Sequence, residues 1–95
     1  MNTYSKPGAA LMLLKITIEY CTVWHYTERA TSLAAELLQQ FEPEIETITL
    51  IPSDGGRFEI TVNGKLLYSK KKTGRHVEKG EVARLVNEFI TENQH

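Results

Sequence analysis

Leu14-Lys15-Ile16-Thr17-Ile18-Glu19-Tyr20 is the stretch on which the architecture turns. Apolar Leu14, Ile16, Ile18 and Tyr20 alternate with polar Lys15, Thr17 and Glu19, the period of a strand with one buried and one wet face. Downstream the period changes. Ala30, Leu33, Ala34, Leu37, Leu38 and Phe41 recur at helical spacing and make one apolar stripe. Cys21 to Tyr26 is the loop between them, and Thr27 is the expected helix cap, its hydroxyl accepting a free N–H of the first turn. Pro43 ends the helix, because proline disfavours helical geometry in the residue before it.

Beyond Pro43, Glu44 to Ile51 is rich in β-branched residues and predicts a second strand. Pro52-Ser53-Asp54-Gly55-Gly56 is a turn cluster. Phe58, Ile60 and Val62 alternate with Glu59 and Thr61 as a third strand. Asn63-Gly64 is a hairpin signal, since a type I′ turn needs positive φ at both central residues. Lys65 to Ser69 returns as the fourth strand, and Lys70 to His76 reads as a polar loop. Val82, Leu85, Val86, Phe89 and Ile90 predict a last helix from about Glu78. The expected fold is α/β in order β-α-β-β-β-α, two helices on one face of a four-stranded mixed sheet, with the strand–helix–strand unit parallel and right-handed.

Ninety-five residues suffice for one core, not two. Residues 1–11, with Pro7-Gly8 and no periodicity, are expected to be a flexible arm. Residues 12–95 form the single domain, and Met12 is a candidate start. The net charge of −1 supplies no field for nucleic acid or anionic membrane, and no apolar run reaches a membrane-spanning length. One cysteine and no convincing signal peptide point to a reducing, cytoplasmic setting.

Cys21 stands at the C-terminal end of the first strand, ahead of the first helix, where open α/β sheets place their sites. The helix N-terminus favours a thiolate there. His25, four residues on, would act in the same direction if protonated. The bland reading is a buried small hydrophobe, the commonest fate of a free cysteine. Position on a loop favours partial exposure instead. Thiol–disulfide chemistry at such a loop uses two sulfurs, or sulfur and selenium, three positions apart. Cys21-Thr22-Val23-Trp24 offers a thiol and an indole, so what remains is mixed-disulfide formation. Trp24 reads first as a hydrophobic cap over the helix, and second, with Tyr20 and Tyr26, as an aromatic patch for a partner.

The segment Tyr20-Cys21-Thr22-Val23-Trp24, with the run Gly56-Arg57-Phe58-Glu59-Ile60-Thr61-Val62-Asn63-Gly64-Lys65-Leu66-Leu67-Tyr68-Ser69-Lys70-Lys71-Lys72 and Gly74, resembles the selenoprotein W (Rdx) family from about Leu13 to Ile90. The resemblance implies a thioredoxin-like fold and a glutathione-linked antioxidant or thiol-oxidoreductase role. The family motif is Cys-x-x-Cys or Cys-x-x-selenocysteine; Cys21 matches its first place and Trp24 departs at its second.

Two functions from different classes follow. One is a redox protein acting through the single nucleophile Cys21 on glutathione or a protein thiol, with glutathione as co-substrate and no bound cofactor. The other is a thioredoxin-fold binding module that has lost redox chemistry and offers the loop Thr22, Val23, Trp24 and His25 to a protein partner. A dimer joined through Cys21 is a third, weaker reading. Lys70, Lys71, Arg75 and His76 are candidate contacts for an anion or an acidic partner; the plainer expectation is lysines guarding a strand edge. Cys21 and His25 have the spacing of a zinc pair, but with only His76 and His95 besides them no metal site is expected. Ser53-Asp54-Gly55-Gly56 lacks the Lys-Ser/Thr of a phosphate loop and reads as a turn near the Cys21 loop.

Overall fold

In the computed structural model, residues 12–24 and 26–93 are described. The expected arm at residues 1–11 lies outside them. The elements run β1 (Leu14–Cys21), α1 (Tyr26–Phe41), a 3₁₀ turn (Glu42–Glu44), β2 (Ile45–Ser53), β3 (Phe58–Val62), β4 (Lys65–Ser69), α2 (Lys70–Thr73) and α3 (Glu81–Glu92). The four strands form one mixed sheet in the order β2-β1-β3-β4. β1 runs parallel to β2, in register from Lys15 opposite Thr47 to Cys21 opposite Ser53. It is antiparallel to β3, with Ile16 opposite Val62 and Tyr20 opposite Phe58.

The alternation of β1 divides the sheet into two faces. Leu14, Ile16 and Ile18 are fully buried, as are Ile60 and Val62 on β3. Leu33 and Leu37 of α1 and Val82 and Val86 of α3 join the same cluster, so both long helices cover one face. Each large apolar side chain taken out of water there contributes about 1.5–3 kcal/mol before the ordering cost. Thr17, Glu19, Glu59 and Thr61 occupy the uncovered face. β2 is an edge strand, where Pro52 is tolerated.

Three local expectations are corrected. α1 begins at Tyr26, so Thr27 is inside the helix rather than its cap. The last helix begins at Glu81, not Glu78, after Gly80 in the left-handed region (φ 79°). The polar loop after β4 contains a helical turn, α2. Ser69 Oγ caps it by accepting the Lys72 N–H (3.1 Å), and Gly74 (φ 76°) closes it, its N–H donating to the Lys70 carbonyl (2.7 Å). Lys70, Lys71 and Lys72 therefore sit on a turn beyond the strand, and do not guard its edge.

Asn63 does more than permit the hairpin. It takes φ 49° beside Gly64 at 85°. Its side-chain Oδ1 accepts the Lys15 N–H (2.7 Å), and its own N–H donates to the Lys15 carbonyl (3.0 Å). The turn is thereby tied to the start of β1. Asn63→Ala, which loses that bond and strains the backbone, is expected to cost roughly 1–2 kcal/mol in urea unfolding. Asn63→Gly, which loses only the bond, should cost less.

Candidate functional site

β1 delivers the chain to the sheet edge, and two neighbouring segments hold it there. The Cys21 N–H donates to the Arg57 carbonyl (2.8 Å), and the Thr22 N–H to the Ser53 carbonyl (3.1 Å). The Ser53–Gly56 turn thus lies beside the Cys21 loop, as expected from the sequence. Arg57 fastens that turn, bonding Asp54 Oδ1 (2.9 Å) and Ser53 Oγ (3.2 Å).

Cys21 is not partly exposed. It is the last residue of β1, 1% accessible, and belongs to the main apolar cluster. Period-two alternation alone would put it with Lys15, Thr17 and Glu19 on the open face. Paired to Ser53 on β2 and to the Arg57 carbonyl ahead of β3, it nevertheless lies within the apolar cluster. Trp24 departs from expectation in the opposite sense. It does not cap the helix: it is 69% exposed, beside Val23 at 55%. It also adopts φ 75°, a left-handed conformation that disfavours a bulky side chain by roughly 1–2 kcal/mol. The loop therefore holds its thiol inside and presents an indole in a strained turn. His25 lies outside the described residues.

Immediately after the loop, Tyr26 is buried and three rings meet edge to face. Tyr26 and His76 have centroids 4.6 Å apart, Tyr26 and Phe58 6.4 Å, and Phe58 and His76 6.1 Å. His76 thus reaches the start of α1 from a segment fifty residues away. Tyr68 positions that segment, its hydroxyl donating to the Arg75 carbonyl. His76 Nδ1 is shut off from solvent and has no hydrogen-bond partner among the described residues. Burial, then the positive charges of Arg29 and Lys70, hold the imidazole below its usual 6.5. Lys70 Nζ stands 6.0 Å from the centroid of the Tyr26 ring.

Of the four basic candidates, Lys70 and His76 come together over Tyr26. Lys71 is exposed, and Arg75 is committed elsewhere. Its two terminal nitrogens bond both oxygens of Glu81 at 2.8 Å. That pairing, with the Glu78 N–H, pulls the Glu81 carboxyl down to about 2. Arg29 and Phe58 belong to the cluster and were not singled out by sequence; helical spacing from Tyr26 to Arg29 is the only local signal that links either to it.

The fold and this loop define a thioredoxin-like domain whose loop carries one enclosed thiol. The chain belongs to the Rdx family, whose model matches residues 15–88. The crystal structure of a selenoprotein W-related protein from Vibrio cholerae is 36% identical with a TM-score of 0.78, covering 82% of this chain and 98% of that one. A crystal structure from Bordetella parapertussis is 31% identical with a TM-score of 0.77, over 81% of this chain and 98% of that one. No curated protein matches the chain. Among the described residues no helix is long and apolar enough to cross a membrane, and no group of three His, Cys, Asp or Glu is placed to hold a metal ion.

The displaced titrations of His76 and Glu81 act in separate pH windows. His76 binds a proton more readily unfolded than folded, so its contribution is complete above 6.5 and lost as pH falls below that value. Glu81 contributes fully above 4.5, and this is lost as pH falls toward about 2. Thermal unfolding of His76→Phe should show a smaller decline between about pH 7 and 5.5 than the parent, with the acid decline kept. Glu81→Gln should show the reverse.

Proposed function

We propose that the protein acts within this redox-associated family as a docking module, its contact being the Val23–Trp24 loop, rather than as a dithiol oxidoreductase. The observation that carries this reading is the inversion of the loop: the thiol is enclosed at 1% while the indole is exposed at 69%. Disulfide exchange needs a thiolate that another sulfur can approach in line. A large apolar side chain held outward in a costly backbone conformation has no evident use to the fold, and strain of that kind collects at contact sites. The second place of the family motif falls on Trp24, so no internal partner is available for Cys21.

The redox reading keeps one support, the site of Cys21 at the C-terminal edge of an inner strand before a helix. In that reading the thiol reacts only after the loop opens. Oxidised glutathione and Ellman's reagent are therefore expected to modify native Cys21 at least about tenfold more slowly than the unfolded chain, the ratio reporting the opening equilibrium. Equal rates would return the protein to single-thiol chemistry.

The docking reading is tested by placing a photo-crosslinking residue at Val23 in cells of the source organism, then measuring the captured partner's affinity for purified variants. Cys21→Ser should bind as the parent does. Trp24→Gly should bind at least tenfold more weakly while unfolding at the same or higher denaturant concentration, since glycine relieves the positive φ. A partner that needs the thiol and ignores the indole would defeat the proposal.

A further inference from the structure

The four arginines of the chain divide sharply. Arg57 bonds Asp54, Arg75 bonds Glu81, and Arg84 bonds Glu88. Arg29 has no carboxylate within 4 Å among the described residues, and neither have Lys70, Lys71 and Lys72. Lys15 on β1, Lys65 on β4 and Lys79 before α3 are unpaired among the described residues as well, but Arg29 and Lys70 meet at one place. Arg29 is one helical turn from Tyr26, on the same side of α1. Lys70 stands over the Tyr26 ring, and His76 packs against its edge. Arg29 and Lys70 are both near enough to His76 for their charge to disfavour a proton on it. Tyr26 is two residues from Trp24, at most about 7 Å of chain.

On a protein with a net charge of −1, gathering like charges with no carboxylate of the described residues within 4 Å of them raises the energy of the free surface. An incoming anion relieves it. Arg29 itself lines a groove together with Glu28, Glu36, Glu78 and Lys79, so the positive surface ends where that groove begins. It is also open to solvent and adjoins exposed apolar side chains at Val23 and Trp24. A lone small anion would leave that apolar part uncovered; a chain segment bearing both kinds of side chain covers both.

We infer that the partner is recognised through an acidic segment, its carboxylates lying over Tyr26 between Arg29 and Lys70 and a neighbouring apolar side chain resting on Trp24. The inference rests on the docking reading and names the chemistry of what docks. Polar charge pairs of this kind set specificity and approach rate, while the indole supplies the anchor.

The probe is the peptide acetyl-Glu-Glu-Leu-Glu-Glu-amide, with acetyl-Lys-Lys-Leu-Lys-Lys-amide as control, titrated into the ¹⁵N-labelled full chain at pH 7.4 in low salt. The acidic peptide should shift the amides of Trp24, Tyr26, Arg29 and Lys70 and raise the pH at which the His76 ring titrates; the lysine peptide should not. Arg29→Gln combined with Lys70→Gln should weaken binding about tenfold, the size expected of two exposed charge pairs. Adding 0.3 M salt should weaken it as well. Equal binding of the two peptides, shifts confined to other surfaces, absence of shifts at millimolar peptide, or full affinity of the double variant would each overturn the inference. If the double variant binds normally while Trp24→Ala does not, the docking loop stands and its acidic partner falls. If Trp24→Ala binds normally while the double variant does not, recognition of acid stands and the role of the indole falls.

Discussion

β1 is the strand on which the other elements depend. It has a hydrogen-bonded neighbour on each side, parallel β2 and antiparallel β3, and its inward residues lie under both long helices. A strand paired on both edges and covered on one face has little freedom in register, because a slip of one residue would exchange Ile16 and Ile18 for Thr17 and Glu19 in the core. Asn63 adds a check at the start of the strand by holding Lys15 through both its side chain and its main chain. The far end of β1 is therefore delivered to a defined place.

That place governs the chemistry of the loop. Hydrogen bonds from Cys21 and Thr22 to the segments on either side hold the end of the strand, where the thiol is buried. The chain must then turn sharply into α1, and the turn is made by residues that include a tryptophan at positive φ. Burial of sulfur and exposure of indole are two results of one geometric constraint: a strand pinned at both flanks, followed at once by a helix that buries Tyr26. A thioredoxin-like frame thus carries a loop whose accessible group is aromatic.

The cluster behind the loop is assembled by a separate device. Ser69 and Gly74 delimit α2, and Tyr68 bonds Arg75, so the chain leaving β4 is turned back toward the start of α1. Arg75 is consumed in a pair with Glu81 that secures the entry to α3. Lys70 and His76, on the same short connection, are left facing Tyr26. One basic segment thus divides into a paired charge and charges without an ion pair, according to which carboxylates lie within reach.

Periodicity was enough to assign every strand, both long helices and the hairpin at Asn63-Gly64, because those depend on alternation, stripe and turn chemistry within a few residues. The motif blocks added the family and with it the thioredoxin-like fold. Local pattern did not reveal the one-turn α2, although Ser69 and Gly74 are its recognisable limits. Nor could it reveal the exposure of Cys21 and Trp24. Accessibility at a strand end depends on what lies across from it, here the Ser53 and Arg57 carbonyls some thirty residues downstream. The meeting of Arg29, Lys70 and His76 is likewise a matter of long-range placement: ring packing on Tyr26 and Phe58 joins three distant segments, and no spacing along the chain encodes that approach.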